Sequence, residues 1–232
     1  MKKYIFLIIT ILCSIYAQAQ FTVSYSLGYA THDLDGMKSL LKGIQQTPPA
    51  STIGAKNVDN FSTNQLIHIV DIGYRLDMHE FGLKGGGYSS TGGKLSLKDY
   101  SGEYSNRFIV NGVRFGIYYK NYFYTYRNKN DKAVFSFFGE ISPGLYFSEI
   151  KNNGFFVVQD KELDSFDDKY SKTSFAFLFQ AGAKYYITKN INLHVALGYD
   201  FVGKAKVEDF KPKEAMVNWS GIRFTGGVGF SF

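Results

Sequence analysis

Alternating apolar and polar residues recur along most of the chain. In FTVSYSLGY (21–29) the apolar side chains occupy the odd positions, whereas Thr22, Ser24 and Ser26 occupy even ones. TSFAFLFQAGAKYYI (173–187) repeats this design. A period of two places successive side chains on opposite faces of a strand. The pattern predicts eight strands, at 21–29, 65–77, 81–89, 107–119, 133–147, 173–187, 191–202 and 220–232.

The connections between these strands alternate in length. DMHE and TKN are tight turns, and we interpret 120–132, which is longer, as a hairpin that continues past a bilayer. Long loops on one side and short turns on the other are typical of an outer-membrane barrel. Ten strands stay open as an alternative, although TPPASTIGAKNVDN has prolines and little alternation. The long polar connections are predicted at about 30–64, 90–106, 148–172 and 203–219.

The first residues have the order of a secretory signal peptide. Lys2 and Lys3 precede the uncharged run YIFLIITILCSIYA, and Ala17 and Ala19 form an A-x-A site before Gln20. A membrane anchor is the alternative, but the run is shorter than the roughly 20 residues of a spanning helix. We therefore predict a cleaved signal at 1–19 and a barrel domain at 20–232.

Composition narrows the class of protein. Cleavage would remove Cys13, the sole cysteine, and would lower the formal charge from +6 to +4. A mature chain without cysteine has neither disulfides nor thiolate metal ligands. A mild charge without a basic cluster gives no reason to expect nucleic-acid binding. The 18 Tyr and 22 Phe against four Pro favour strands.

These features predict an all-β protein, an eight-stranded antiparallel up-and-down transmembrane β-barrel. Beyond 1–19 no segment approaches 18 consecutive apolar residues, and a closed barrel satisfies the backbone in lipid without such a helix. A soluble β-sandwich is the alternative. It would not need aromatic residues at strand ends, where barrels have interfacial girdles. The predicted girdle residues are Tyr118, Tyr119, Tyr122, Tyr146, Phe147, Tyr185, Tyr186 and Tyr199.

Several segments carry a family resemblance. They are the signal ending AQAQ, the glycine-and-aromatic strands, FFGEISPGLYF, FQAGAKYYITKNINLHVALGYDF and the final Phe. Together they resemble the eight-stranded outer membrane protein β-barrel family abundant in Bacteroidota, similar in architecture to OmpX and the OmpA barrel. The resemblance covers the whole mature chain and implies an outer-membrane location, with outer-membrane lipid and the barrel-assembly machinery as partners. It implies little about activity.

The resemblance also gives a role to the last segment, GIRFTGGVGFSF. A soluble protein ending in this pattern would leave an unpaired apolar edge strand. In the family it is the signal that the assembly machinery recognises, and the strand pairs with the first one. The implied signal residues are Phe224, Val228, Phe230 and Phe232.

Charged residues on the polar face of the strands predict the interior of the barrel. An eight-stranded barrel is just wide enough to be filled by side chains, and buried charges must be paired. We therefore predict cross-lumen ion pairs; a conducting pore or binding site is the alternative. The predicted interior charges are Asp71, Arg75, Lys84, Arg114, Glu140, Lys184, Asp200 and Arg223.

Other motifs give little support to catalysis. The four histidines are scattered, and His194 has no serine two or three residues away, so no catalytic residue, cofactor or metal is predicted. The acidic segment DKELDSFDDKY (160–170) lacks the glycine and terminal glutamate of a calcium loop. An Asn153-Gly154 turn is predicted beside it. LDGMKSLLKGI (34–44) predicts an amphipathic helix packed on the loops, with a cap on the barrel mouth or a position on the outer leaflet as alternatives. Gly85–Gly87 predict strand bending.

The prediction for function is a monomeric, non-enzymatic structural or surface-interaction protein of the outer membrane. Its salt-bridged interior and long loops favour an extracellular partner at the loops. The alternative is a narrow channel or hydrophobic-ligand carrier, suggested by the glycine-rich third strand. A lipid-modifying enzyme is a third and weaker hypothesis.

Overall fold

A computed structural model describes residues 20–159, 161–207 and 215–232. The predicted signal, 1–19, lies outside these residues. In the described ranges, no helix is long and apolar enough to cross a membrane. The elements formed by the described residues are β1 (Gln20–Thr31), α1 (Asp35–Gln45), α2 (Ala50–Ile53), β2 (Lys56–Asp59), β3 (Asn64–Leu76), β4 (His79–Asp99), β5 (Gly102–Arg127), β6 (Ala133–Val158), β7 (Lys161–Tyr186), β8 (Ile191–Val202), β9 (Ala205–Val207), β10 (Ala215–Val217) and β11 (Gly221–Ser231).

Eight of the strands in the described ranges close into an antiparallel ring, in the order β4-β3-β1-β11-β8-β7-β6-β5 and back to β4. The last strand of the ring pairs with the first from Thr22↔Ser231 to Ala30↔Arg223. Phe232 N–H then donates to the Phe21 carbonyl at 2.9 Å. The ring therefore has no free edge strand, and the eight-stranded prediction is confirmed.

The outer surface of the ring is an apolar belt. Because side chains alternate along each strand, large apolar residues of every ring strand point outward into the surroundings. A soluble sandwich would bury these faces in a shared core, so the sandwich alternative is wrong and the strands are those of a transmembrane barrel. Belt residues include Leu27, Val70, Ile72, Leu83, Phe115, Ile117, Ile141, Leu145, Phe177, Phe179, Val195, Leu197, Phe224 and Val228.

The predicted aromatic girdle is correct in part. Phe147, Tyr185 and Tyr199 are exposed at the belt edges, whereas Tyr118, Tyr122 and Tyr146 are buried inside the barrel. The buried three have the parity of the interior charges. Proximity to a strand end was therefore a weaker guide than the face of the strand.

The predicted loops 90–106 and 148–172 are wrong, because β4, β5, β6 and β7 continue far beyond the belt. β5 alone has 26 residues, about 85 Å of strand at 3.3 Å per residue, against a hydrocarbon core of about 30 Å. The register aligns Thr91, Val110, Ile150 and Tyr170 in one row. We call the strand segments beyond this row the wall: 91–99, 102–110, 150–158 and 161–170.

Helix α1 packs against the inner face of the wall and closes the mouth of the barrel. Its residues Met37, Leu40 and Leu41 are buried in a cluster that includes Phe108 of β5 and Trp219. Burial of each large apolar side chain contributes about 1.5–3 kcal/mol. The predicted amphipathic helix is confirmed. We call α1 with α2, β9 and β10 the cap.

Glycines determine the local backbone at one position in β4 and the side-chain packing at one position in β6. At Gly86 φ is +111°, and the β4–β5 register shifts between Gly86 and Ser89, so the predicted bend is confirmed. The predicted Asn153-Gly154 turn is wrong, because both residues lie within β6. A Cβ at Gly154 would lie 2.5 Å from the Phe166 ring of β7. That glycine therefore makes room for an aromatic side chain rather than for a reversal of the chain.

The segment 120–132 behaves as predicted. β5 and β6 continue past the belt to a short turn between Arg127 and Ala133. This turn lies at the same end of the barrel as the β3–β4 and β7–β8 turns, opposite the wall. At one end of the barrel, β4, β5, β6 and β7 therefore project beyond the other strands of the ring. At the opposite end the strands are joined by short turns.

Candidate functional site

The half of the lumen nearer the short turns, which we call the lower half, holds a network of buried ions. Lys84 of β4 lies 2.8 Å from each carboxylate oxygen of Asp71 on β3. It also lies 3.1 Å from Glu140 Oε1 on β6. All three side chains are buried. These three predicted interior residues are therefore brought together, and the Lys84–Glu140 ion pair links β4 to β6, two strands that are not paired with each other.

Two members of this network were not predicted. Lys120 Nζ lies 3.5 Å from Glu80 Oε1 and 3.3 Å from Glu140 Oε2. The sequence pattern places Glu80 in the turn DMHE and Lys120 in the connection after the fourth predicted strand. Parity would have found both, because Glu80 lies four residues from Lys84 and Lys120 six from Arg114, each an even spacing along its strand.

Tyrosines and two more cations complete the lower network. Glu80 accepts hydrogen bonds from the hydroxyls of Tyr118 at 2.8 Å and Tyr122 at 2.6 Å. Lys184 lies 3.5 Å from Glu80 Oε2 and donates to the Tyr122 hydroxyl. Arg75, which is only half-buried, lies over the Tyr122 ring with 4.0 Å to its centroid. The predicted residues Lys184 and Arg75 thus belong to the lower network, which we define as Asp71, Arg75, Glu80, Lys84, Lys120, Glu140 and Lys184.

The other three predicted charges form a separate upper triad. Arg114 Nε lies 3.0 Å from Asp200 Oδ2, and Arg223 Nη2 lies 3.7 Å from the same oxygen. Two arginines thus share one buried carboxylate, and each arginine also donates to backbone carbonyls, Arg114 to that of Ser142. Arg223 donates to the Thr31 carbonyl at 3.1 Å and to the Trp219 carbonyl at 2.8 Å.

The space between the lower network and the upper triad is a small cavity of about 20 Å³. Lys84 lines it from below, and Arg114, Asp200 and Arg223 line it from above. A single water needs roughly 10–15 Å³ by this measure. The interior at this height is therefore filled by side chains.

The mouth of the barrel is closed by aromatic packing. Trp219 stacks on Tyr146, and its indole N–H donates to Ser148 Oγ at 2.8 Å. His32, which follows β1 beyond the belt, meets the edge of the Trp219 ring and lies 3.0 Å from Ser89 Oγ. Burial and the neighbouring Arg223 lower the pKa of His32 to about 3. His32 is therefore a neutral part of the closure at neutral pH.

One histidine has a serine neighbour that local sequence could not reveal. His194 Nε2 of β8 lies 2.7 Å from Ser26 Oγ of β1, through tertiary pairing. Ser26 is buried in the lumen. A nucleophile for lipid would need to reach the belt surface, and in the described ranges no carboxylate hydrogen-bonds the His194 ring. The contact fits a histidine of a barrel strand that is satisfied by a hydroxyl.

The acidic segment 161–170 lies on exposed β7, and Asp160 lies outside the described residues. Lys169 Nζ lies 2.6 Å from Glu149 Oε2 of β6, and Lys151 Nζ lies 3.3 Å from Glu149 Oε1. The hydrogen bond from Lys169 lowers the pKa of Glu149, with Lys151 adding to the effect. Within the described ranges, no group of three or more His, Cys, Asp or Glu side chains is arranged to hold a metal ion.

No protein-family model matches the chain, and no curated protein matches it. Solved structures do match, among them three outer-membrane proteins. Ail, the attachment invasion locus protein of Yersinia pestis, solved with the heparin analogue sucrose octasulfate, is 13% identical over 92% of this chain and 97% of its own, with a TM-score of 0.38. Neisserial surface protein A is 15% identical over 93% and 97%, with a TM-score of 0.36.

OprG from Pseudomonas aeruginosa is 12% identical over 92% of this chain and 96% of its own, with a TM-score of 0.44. Identities and TM-scores this low carry no argument about activity. The ring of strands and the apolar belt carry the assignment of the fold.

Proposed function

We propose that this protein is a non-conducting, non-enzymatic outer-membrane barrel whose wall and cap form an extracellular binding surface. The observation that carries the proposal is the filled lumen. The lower network and the upper triad are separated by a cavity with room for about one water. The cap closes the mouth above them. An interior of this kind supports the fold rather than passage of solutes.

The location follows from the same proposal. An apolar belt stabilises the protein only in lipid, and a cleaved signal at 1–19 would export the chain to the outer membrane. There the barrel-assembly machinery would insert it as a monomer, with the segment around Phe224, Val228, Phe230 and Phe232 as its recognition signal. The resemblance to the barrel family of Bacteroidota supports the same location. Amino-terminal sequencing of the membrane-extracted protein should begin at Gln20.

The wall gives the proposal its binding surface. Two hairpins of the wall, β4–β5 and β6–β7, stand clear of the belt, and their outer faces carry exposed ion pairs such as Lys98–Glu103. Charges of both signs keep such a surface soluble. The inner face carries the aromatic side chains of Tyr104, Phe156 and Phe166, which line an open cleft. This arrangement favours a protein that presents a structured surface to the outside.

Two measurements test the proposal. Purified wild-type protein in a planar lipid bilayer should give no stepwise ion current; defined conductance steps would overturn the non-conducting part in favour of the channel alternative. Ile150 pairs with Tyr170 across β6 and β7, so excision of 152–168 leaves Lys151 and Lys169 as a two-residue connection and preserves the strand register from that pair onward. Cells displaying this variant should lose binding to immobilised matrix protein or polysaccharide that wild-type cells bind.

The control is a replacement of 129–131, which changes exposed turn residues at the opposite end of the barrel. Equal binding by wild type and the 152–168 deletion would contradict the surface role. Lipid A that changes in mass when the protein is overproduced would contradict the non-enzymatic part.

A further inference from the structure

A cleft lies between the connection of α1 to α2 and the inner face of the wall. Its volume is about 300 Å³, within the range of small-ligand sites. One side consists of Thr47, Pro48, Pro49 and Ala50, and the other of wall residues from β5, β6 and β7. We call it the wall cleft. It lies beyond the belt, so it opens to water rather than to lipid.

Two buried amides line the wall cleft with free acceptor atoms. The side chains of Asn106 and Asn152 are only 6% and 7% exposed. Neither Oδ1 atom has a hydrogen-bond partner in the described ranges. Buried acceptors without partners are unfavourable, so this pair is preorganised for a ligand that donates hydrogen bonds.

Carboxylates extend the row of acceptors. Asp168 is the strand partner of Asn152, and Asp164 is the partner of Phe156, so both face the cleft side of β7. Both also line the cleft. Their negative charge disfavours sulfated, phosphorylated or carboxylated ligands. The recognised groups are therefore hydroxyls or amines.

Aromatic rings supply the apolar part of the cleft. Tyr104 and Phe156 pack edge-to-face with centroids 5.9 Å apart, and the Phe166 ring lies over Gly154. Rings of this kind offer flat faces with partial negative charge, on which the C–H groups of a sugar ring pack well. Acceptors beside aromatic faces match a molecule with many hydroxyl donors and one apolar face.

We propose that the wall cleft binds a sugar unit without anionic groups, either uncharged or amino-substituted, as part of a larger surface glycan. This inference rests on the proposed surface-binding function and names the ligand class of that surface. The amides accept hydroxyl protons, the aspartates accept further hydroxyl or amine protons, and the aromatic rings pack against the ring carbons.

The test uses the full chain folded in detergent micelles, with heat-modifiable migration as the check of folding. Triacetylchitotriose, mannotriose, maltotriose and a glucosamine trimer are the probes for the proposed ligand class, and sucrose octasulfate and an arginine-rich peptide are the competing classes. We expect saturable binding of at least one of the four saccharides. Binding of only the sulfated probe or only the peptide would overturn the proposal.

Neighbouring residues provide matched variants. Asn152→Ala removes a cleft acceptor and should weaken saccharide binding by about tenfold. Asn153→Ala changes the next residue, which is exposed on the other face of β6, and should leave the affinity unchanged. If Asn152→Ala fails to fold, the pair Asp168→Asn and Asp167→Asn makes the same comparison on β7. Equal affinities within the pair that folds would overturn the site.

Failure of this inference is distinguishable from failure of the proposed function. A folded, non-conducting protein whose surface binding needs 152–168, yet which binds none of the four saccharides, retains the function and loses the cleft assignment. Ion conductance, or surface binding that survives the deletion, contradicts the function itself.

Discussion

Trp219 stacks on Tyr146 with ring centroids 5.3 Å apart and an angle of 18° between the planes. The pair lies where the barrel ends and the cap begins, and both rings are buried. Trp219 is the sole tryptophan of the chain. Intrinsic tryptophan fluorescence therefore reports on the closure of the mouth alone.

This relationship predicts weak acrylamide quenching of wild-type fluorescence. Leu41→Asp places a charge in the cap core and should raise quenching severalfold, because a buried unpaired carboxylate disrupts the packing of α1. Ser39→Asp, on the exposed face of the same helix, is the control and should quench like wild type. Strong quenching of the wild type would mean that the mouth is open.

The lower network should tolerate loss of a pair better than loss of one partner. Lys84→Met leaves Asp71 and Glu140 short of one cation and should lower the free energy of unfolding by about 3–5 kcal/mol. Adding Asp71→Asn leaves two acids with two lysines, equal in number as in the wild type, and should recover part of the loss. Urea unfolding in micelles gives the measurement.

Lys98→Met is the control for this comparison. Its ion pair with Glu103 is on the exposed wall, with the lysine side chain 74% exposed. Such pairs contribute at most about 1 kcal/mol. A double variant no more stable than Lys84→Met would show that the network does not act through charge balance.

The bulge in β4 should depend on glycine. At Gly86 φ is +111°, and a Cβ there would lie 2.2 Å from the His68 carbonyl oxygen. Gly86→Ala should therefore lower the unfolding midpoint clearly. Gly139→Ala adds the same methyl where nothing lies within 4 Å and should be tolerated. Equal midpoints for the two variants would contradict the bulge geometry.

Stability should fall as acid charges the unfolded chain at His32. Its folded pKa of about 3 lies below the ordinary 6.5, so between these values the unfolded state binds a proton that the folded state does not. Stability is then lost as the pH falls through 6.5, by about 2 kcal/mol at pH 5. His32→Gln should show a smaller loss between pH 7.5 and pH 5, and an identical loss would exclude this cause.

The closing strand should need its aromatic residue. Phe232 donates its N–H to Phe21, and the two rings lie 6.2 Å apart at the belt edge. Deletion of Phe232 should lower the yield of compact, heat-modifiable protein in membranes. Phe232→Tyr retains both contacts and should assemble normally; full assembly of the deletion would contradict a role in insertion.

The period of two in the sequence was enough to predict the ring and the outward face. It could not predict which charges meet, because pairing depends on strand register around the barrel. Lys84 contacts Glu140 from a strand that is not its neighbour, and no local pattern marks that contact. The parity rule nevertheless applies to Glu80 and Lys120, which lie one residue outside the predicted strands 81–89 and 107–119 but within β4 and β5.

The wall was missed for a different physical reason. Outside the belt neither face of a strand meets lipid, so the clear apolar alternation disappears. In β6 the inner face there carries Ile150 and Asn152, and the outer face carries Lys151 and Asn153. Such a sequence resembles that of a polar loop. Its inner face is buried only because helix α1 packs against it, and the local pattern does not reveal that contact. The cleft residues Asn106 and Asn152 could not be identified as a pair for the same reason.

The four tall strands stand next to one another, on one side of the ring, while β8, β11, β1 and β3 end much lower. The barrel therefore has a front and a back in the plane of the membrane. A ligand of the proposed wall cleft would approach the barrel from the side on which the wall stands. Rotation of the barrel about the membrane normal would therefore turn the cleft toward or away from a facing surface. Under the proposed function, binding would therefore depend on the rotation of the barrel about the membrane normal as well as on how far the wall projects.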